Sequence, residues 1–256
     1  MSKHKLTGLI GYPLSHSFSK SYFTEKFKNE GLDEFSYHNF EIADINQVID
    51  VVKNNPNLIG LNVTIPYKES VIPFLDDLSK QAKDIGAVNT ICIDNSSPTP
   101  RLIGHNTDHI GFGKSIHLLS KDKPKGALIL GTGGASKAAI YFLKNNSIKY
   151  ISVSRSPGSN ITYKDIDAEI INDYPLIINT SPVGMYPKID QKPNIPYHLI
   201  GQDNLLFDLI YNPDETLFLT LGKKAGASIL NGLPMLKAQA EASWELWKQS
   251  ITGRQL

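Results

Sequence analysis

Short runs of β-branched and aliphatic residues alternate with longer amphipathic stretches along nearly the whole chain, and this alternation restricts the fold more than any other feature. Such a pattern is typical of strands joined by helical crossovers, which build a mostly parallel sheet with helices on its faces. The sequence therefore predicts an α/β protein.

The chain up to about residue 106 predicts one α/β unit. A helix is expected to open at Pro66, because proline suits the first helical turn. Asn95–Pro100 (NSSPTP) is a turn cluster of the kind that joins two strands in a hairpin. The predicted strands cover residues 6–11, 36–41, 60–65 and 87–93, and the other predicted helices cover residues 17–30, 45–54 and 79–85.

A second unit is predicted to follow a connecting helix at residues 106–120. The lysine-rich segment 121–126 (KDKPKG) is the best candidate for a hinge. We place the domains at residues 1–106 and 107–233, with a helix in residues 234–256 expected to return to the first domain. Further strands are predicted at residues 127–130, 150–153, 176–179, 205–208 and 228–230, with helices at residues 136–145 and 234–249.

Composition excludes several classes of protein. The 256 residues are 41% hydrophobic and 20% charged, which is typical of a folded globular chain and not of a disordered one. With 26 basic and 25 acidic residues the net charge is +1, so neither nucleic acid nor an anionic membrane is an expected partner. No run of about 18 apolar residues is present. We expect a small-molecule partner and a monomer or homodimer.

The single cysteine, Cys92, cannot form an intrachain disulfide, which fits a reducing compartment, and we expect a cytoplasmic protein. The chain has seven histidines and only this one cysteine, and no metal is expected.

The segment GTGGAS, Gly131–Ser136, lies directly between an apolar predicted strand and a predicted helix. Glycines at this point let the backbone turn tightly and approach a pyrophosphate, whose charge is held by the free amides at the helix start. The next strand ends about 20 residues later in Ser154, Arg155 and Ser156, where dinucleotide-binding units contact the ribose. A guanidinium and two hydroxyls favour a 2′-phosphate, so we predict NADP over NAD.

Four clusters in the first unit carry polar side chains next to predicted strand ends. GYPLSHSFS offers Ser17 and Ser19 at a helix start, where serines are also ordinary caps. NVTIPYK places Thr64 near a strand end and Lys68 in the predicted first helical turn, where an ammonium is electrostatically unfavourable. GAVNT supplies Asn89, and NTD supplies Asp108 at the start of the connecting helix.

These segments, followed by GTGGAS, NTSPVGM, YNP and NGLPMLKAQA in this order, resemble the shikimate dehydrogenase family over nearly the whole chain. The resemblance implies an N-terminal α/β substrate-binding domain and a Rossmann-type NADP-binding domain, with the active-site cleft between them. It implies NADPH-dependent, reversible reduction of 3-dehydroshikimate to shikimate, a step in aromatic amino acid (chorismate) biosynthesis.

By the same resemblance, Lys68 and Asp108 form the catalytic pair. The implied substrate-binding residues are Ser17, Ser19, Thr64, Asn89, Asp108, Tyr211 and Gln239. The implied cofactor-binding residues are Gly131, Thr132, Gly133, Gly134, Ala135, Ser154, Arg155, Ser156, Ile210 and Gly232.

Two alternatives stay open. A quinate-accepting dehydrogenase of the same fold would need room for an extra ring hydroxyl and could prefer NAD, and the family's usual second basic residue after Arg155 is absent here. A non-catalytic NADP-binding sensor would keep the Rossmann unit and lose the chemistry, which the presence of Lys68 and Asp108 disfavours.

Overall fold

The computed structural model describes residues 4–14, 17–155 and 161–252. The chain forms two compact units, one of Met1–Thr107 with Ala240–Leu256 and one of Asp108–Gln239. Residues 121–126, where we expected a hinge, therefore lie inside the second unit. Within the described ranges, no helix combines the length and the apolar character needed to cross a bilayer.

The first unit is built on a six-stranded mixed sheet in the order β2-β1-β3-β5-β6-β4. β1 pairs in parallel with β2 and β3, whereas β5 is antiparallel to both β3 and β6. Its strands are β1 (Lys5–Gly11), β2 (Phe35–Glu41), β3 (Leu58–Val63), β4 (Asp77–Leu78), β5 (Thr90–Asp94) and β6 (Arg101–His105), and its helices are α1 (Phe18–Asn29), α2 (Val48–Asn54) and α3 (Lys80–Ile85). The hairpin predicted at 95–100 joins β5 to β6, as expected.

The helix expected to open at Pro66 does not form, and this prediction was wrong. Tyr67 N–H closes a turn onto the Thr64 carbonyl at 2.9 Å, and only a short 3₁₀ turn, Ile72–Phe74, follows. The Lys68 carbonyl accepts a hydrogen bond from Val88 N–H at 2.7 Å. In a helix, the Lys68 carbonyl would accept a hydrogen bond from the residue four positions later. Here Val88, which is distant in the sequence, occupies that carbonyl instead.

The second unit contains an all-parallel sheet in the order β12-β11-β10-β7-β8-β9. Counted from its own first strand, this is the 3-2-1-4-5-6 order of dinucleotide-binding folds. Its strands are β7 (Gly126–Leu130), β8 (Lys149–Ser154), β9 (Ile161–Thr162), β10 (Leu176–Asn179), β11 (Leu205–Asp208) and β12 (Ser228–Leu230); its helices are α4 (Asp108–Leu119), α5 (Gly134–Asn145), α6 (Ala168–Asp173) and α7 (Leu217–Lys224).

The last helix, α8 (Leu233–Ile251), begins in the second unit and contributes residues from Ala240 onward to the first. There Trp244 and Trp247, both at most 1% exposed, pack against Phe23 and Phe27 of α1. Alternate residues of each strand face opposite sides of a sheet. The first sheet therefore has one core with α1 and α8 and another with α2 and the segments around α3.

Candidate active site

Polar side chains from four segments of the first unit meet at one edge of its sheet. β1 and β3 run in parallel, so the segments that follow them, with Ser17 and Thr64, leave the sheet at the same edge. β5 runs antiparallel to β3, which brings its beginning, with Asn89, beside the end of β3; Val63 N–H donates to the Asn89 carbonyl at 2.9 Å. β6 ends at this edge too, and Thr107 follows it.

Ser17 is the N-cap residue of α1 by position, yet its side chain makes no capping hydrogen bond. Its hydroxyl oxygen is buried and has no hydrogen-bond partner among the residues that the structure describes. A buried polar atom without a partner costs stability unless a ligand or water satisfies it. The capping explanation for Ser17 therefore fails, and a ligand-binding role fits the observed geometry.

A hollow of about 650 Å³ borders α1 but does not coincide with this edge. Ser17 is the one predicted site residue that lines it, and Ser19, Thr64, Lys68 and Asn89 do not. Its other lining residues are Leu14, Lys20, Ser21, Thr24, Glu25, Lys28 and Asn39. We place the site at the sheet edge, because that is where the predicted polar groups converge.

Lys68 is half-buried in the turn after β3 and not in a helix. The expectation that a helix start would disfavour its ammonium therefore has no basis in the structure. Instead, the turn is fixed by its neighbours: buried Tyr67 donates its hydroxyl to the Ile42 carbonyl at 2.7 Å, and Val88 N–H holds the Lys68 carbonyl. The Lys68 backbone is thereby anchored on both sides.

Asp108 and Gln239 belong to the second unit, where their helices pack closely. Asp108 is the first residue of α4 and is 5% exposed. A Cβ at Gly111, one turn later, would lie 2.5 Å from the Met235 carbonyl and 3.2 Å from the Gln239 backbone nitrogen. Glycine thus lets α8 approach α4, and Gln239 donates its amide to the Leu236 carbonyl at 2.9 Å. Tyr211 follows β11, and burial raises the pKa of its phenol.

The glycine turn between β7 and α5 fits a dinucleotide. Gly131 has φ +117°, a conformation that favours glycine, and a Cβ there would lie 2.9 Å from Thr180 Oγ1 across the gap between β7 and β10. A Cβ at Gly133, the N-cap of α5, would meet nothing within 4 Å, and no side chain caps this helix. The helix start can therefore receive a pyrophosphate where the strand order reverses.

The remaining cofactor candidates also follow strands of this sheet. Ser154 ends β8, Arg155 is exposed directly after it, and Ser156 lies outside the described residues. Gly232 N–H donates to the Ile210 carbonyl at 2.9 Å. Any Cβ at Gly232 would collide with the Leu209 carbonyl, so only glycine permits this approach of the segments after β11 and β12.

Sequence reasoning did not single out the pair that joins the ends of β10 and β11. Asp208, 0% exposed, accepts hydrogen bonds from Asn179 Nδ2 at 3.1 Å, Ile210 N–H at 3.0 Å and the Thr216 hydroxyl at 2.6 Å. Asn179 Oδ1 in turn accepts from the Ser181 backbone and hydroxyl. Asn179 and Ser181 stand in the NTSPVGM segment, which was the available signal.

Burial raises the pKa of Asp208 from 3.8 to about 6, despite its three donors. The folded protein then holds a proton that the unfolded chain releases, so this group lowers the free energy of unfolding as the pH rises from about 4 to about 6. Over that interval the loss is about 3 kcal/mol at 1.36 kcal/mol per pH unit. Asp208→Asn has no ionisable group at this position and should not show this loss. The thermal midpoint of the wild type minus that of the variant should therefore decrease between pH 4 and pH 7.

Calorimetric midpoints measured at half-unit steps of pH check this expectation. Other carboxylates titrate in both proteins, and taking the difference removes them. Parallel curves for wild type and Asp208→Asn would mean that Asp208 is ionised throughout this range.

A parallel sheet in this order with a glycine turn at its switch point defines the class of dinucleotide-binding proteins, and here a second α/β unit adds the converging polar groups. Residues 9–91 match the family described as the shikimate dehydrogenase substrate binding domain. A shikimate dehydrogenase (NADP(+)) from Clostridium beijerinckii is 40% identical, over 94% of this chain and 91% of its own. The chain belongs to the shikimate dehydrogenase family.

Two solved structures resemble the whole chain. Shikimate 5-dehydrogenase from Thermus thermophilus, in complex with NADP(H) and shikimate, superposes with a TM-score of 0.82 at 28% identity and covers 95% of this chain and 93% of its own. Quinate dehydrogenase from Corynebacterium glutamicum, in complex with NAD, gives 0.83 at 25% identity, with coverage of 95% and 93%.

Proposed function

We propose that this protein catalyses the reversible NADPH-dependent reduction of 3-dehydroshikimate to shikimate, a step of chorismate biosynthesis. The observation that carries the proposal is the convergence of Ser17, Thr64 and Asn89 at one sheet edge of a chain that belongs to the shikimate dehydrogenase family. Residues 1–106, with helix 234–256, are assigned to the substrate, and residues 107–233 to the cofactor.

The substrate is a small acid carrying several hydroxyls, so recognition requires polar groups that pair with each of them. Ser17 and Ser19 are assigned to the carboxylate end, because the unpartnered Ser17 hydroxyl is a ready donor. Thr64, Asn89, Asp108, Tyr211 and Gln239 are assigned to the remaining polar groups. An analogue without one hydroxyl leaves a buried partner unpaired, which gives strong discrimination.

Reduction of the ketone needs a hydride at the carbonyl carbon and a proton at the oxygen. NADPH, when bound, supplies the hydride. Lys68 donates the proton to the ketone oxygen and takes it back in the reverse direction. Asp108 orients the amine and accepts a hydrogen bond from a ring hydroxyl. The turn anchored through Tyr67 and the Lys68 carbonyl keeps the lysine backbone fixed while its side chain exchanges protons.

The residues that would hold NADP lie in the glycine turn and after the neighbouring strands of the second sheet. Gly131–Ala135 and the start of α5 receive the pyrophosphate, and Ile210 and Gly232 border the same carboxyl edge of the sheet. Ser154, Arg155 and Ser156 are assigned to the ribose and its 2′-phosphate.

The decisive assay follows NADPH absorbance with purified protein, testing shikimate and quinate each with NADP and NAD. Shikimate with NADP should give the highest kcat/KM. A second candidate function is that of a quinate-accepting dehydrogenase, which the resemblance to the quinate dehydrogenase with NAD supports. Preference for quinate in this assay would favour it. Tight NADP binding without turnover of either acid would instead indicate a sensor.

Arg155→Ala tests the cofactor assignment. A guanidinium bonded to phosphate contributes about 1.5–3 kcal/mol, so the variant should bind NADP about 10- to 100-fold more weakly and NAD almost unchanged. Titrations of both cofactors by protein fluorescence at low and moderate salt measure this, and the NADP loss should be smaller at higher salt. Lys164→Ala is the control, because it removes a cation just after β9, the strand that pairs with β8. Equal losses for both cofactors would contradict a 2′-phosphate contact.

A further inference from the structure

Six buried side chains of the first unit form one hydrogen-bonded network that includes Asn89, which is assigned to the substrate. They come from β2, β3, the start of β5, the segment after β6, and α8. Each is at most 5% exposed, so bulk water does not replace a hydrogen bond that one of them loses. The members are Tyr37, Asn62, Asn89, Thr90, Thr107 and Ser243.

Ser243, on α8, makes contacts with three other members. Asn62 Nδ2 donates to its hydroxyl at 3.0 Å, Thr90 Oγ1 lies 2.7 Å away and Thr107 Oγ1 lies 3.1 Å away. Ser243 is therefore a junction at which α8 connects three segments of the sheet.

The network fixes which way the Asn89 amide faces. Thr107 N–H lies 2.6 Å from Asn89 Oδ1, and a backbone N–H can only donate, so the oxygen must face it. Thr90 also donates to that oxygen, at 3.1 Å. Asn89 Nδ2 donates to Thr107 Oγ1 at 2.9 Å, and the hydroxyls of Thr90 and Thr107 both lie within hydrogen-bonding distance of Ser243. Ser243 therefore contacts the two side chains that hold the Asn89 amide.

The other branch of the network runs from Ser243 to β2. Asn62 donates to Ser243 and accepts from the Tyr37 hydroxyl at 2.8 Å. Burial raises the pKa of the Tyr37 phenol. One hydroxyl on α8 therefore connects β2 and β3 with the segments around Asn89.

We propose that Ser243 is a positioning residue for shikimate: it holds Thr90 and Thr107, whose side chains hold the Asn89 amide. This inference rests on the proposed function. Alanine at position 243 removes the shortest contact of the Thr90 hydroxyl and of the Asn62 amide nitrogen, so both side chains shift toward their remaining partners. Asn89 then loses the orientation in which it meets the ligand.

The test compares Ser243→Ala with Thr7→Val. Thr7 is 0% exposed in the same unit and outside the network, and its hydroxyl donates to the Ser36 carbonyl at 3.0 Å. Each variant loses one buried hydroxyl, so both should have a lower thermal midpoint. Only Ser243→Ala should raise KM for shikimate, by about tenfold, which corresponds to about 1.4 kcal/mol. KM for NADP should stay within about twofold, since its assigned residues are in the other unit.

Thr90→Val supplies an independent variant that is close to isosteric and interrupts the Ser243–Thr90–Asn89 link. It should raise KM for shikimate by a similar factor, and the double variant should raise it by less than the product of the single effects. This variant carries the test if Ser243→Ala does not fold.

An unchanged KM for shikimate in folded Ser243→Ala or Thr90→Val, or an equal rise in Thr7→Val, would overturn the inference while wild-type turnover leaves the proposed function standing. Absence of shikimate oxidation by the wild-type protein would overturn both. All assays are run at least 15 °C below the lowest midpoint, about twice the shift that 1 kcal/mol causes in a small domain, so that unfolding does not imitate weak binding.

Discussion

Lys68→Ala is expected to lower kcat by about 10²- to 10⁴-fold, the range that general acid–base catalysis contributes. Alanine cannot protonate the ketone oxygen in one direction or accept the hydroxyl proton in the other. The hydroxyl contacts proposed for Ser19, Thr64 and Asn89 remain, so KM for shikimate should change by no more than a few-fold. Steady-state rates with NADPH and 3-dehydroshikimate, and with NADP and shikimate, measure both quantities.

Lys80→Ala is the matched control, because Lys80 is an exposed lysine of the same unit, paired with Asp84. Its kcat and KM should equal those of the wild type. Near wild-type turnover in Lys68→Ala would remove Lys68 from the acid–base role. A large rise in KM without a loss of kcat would make it a binding residue instead.

Trp247→Ala is expected to destabilise the first unit by about 3–5 kcal/mol, as large buried aromatic residues do when truncated. The indole is fully buried, packs against Phe23 and donates its N–H to the Ile91 carbonyl at 3.0 Å. It also lies over Gly60 of β3, where any Cβ would collide with it. Thermal unfolding followed by circular dichroism measures the loss.

Trp247→Phe keeps most of the apolar surface and removes the N–H, so its cost should be about 1–3 kcal/mol, from the unpaired Ile91 carbonyl. Leu118→Ala is the control for a large side chain that is not buried, since Leu118 is 68% exposed, and it should lie within about 0.5 kcal/mol of the wild type. A loss in Trp247→Ala as small as that of the control would mean that α8 does not stabilise this core.

The glycine turn and five of the six strands of the second unit were predicted because their signals are local, whereas β9, α6 and α7 were not predicted. The apolar strand, glycine turn and following helix are adjacent in the chain, and the structure confirms them as β7, Gly131–Gly133 and α5. Gly131 needs a positive φ and Gly133 needs open space, and both requirements select glycine at those positions. Strand positions at 176–179, 205–208 and 228–230 are also confirmed.

The segment after β3 shows where local reasoning fails. Pro66 suits a first helical turn, but Val88, twenty positions beyond Lys68, takes the carbonyl that the helix would need. The presence of both parallel and antiparallel strand pairs in the first sheet was not predicted, for a related reason. The turn cluster at 95–100 predicted a hairpin, but the antiparallel pairing of β5 with β3 depends on where the chain returns after α3.

The sequence by itself determined the α/β class, through the alternation of strand-like and helix-like stretches, and the dinucleotide turn, through a few consecutive residues whose backbone requirements act locally. The polar residues of the candidate site were named by the resemblance of short segments to a known family. Only the tertiary structure decided that Ser17 has no capping bond, that Lys68 lies in a turn, and that Ser243 contacts Asn62 across 181 positions of the chain. Hydrogen-bond partners of buried groups are set by which segments pack together. No periodicity within one segment contains that information.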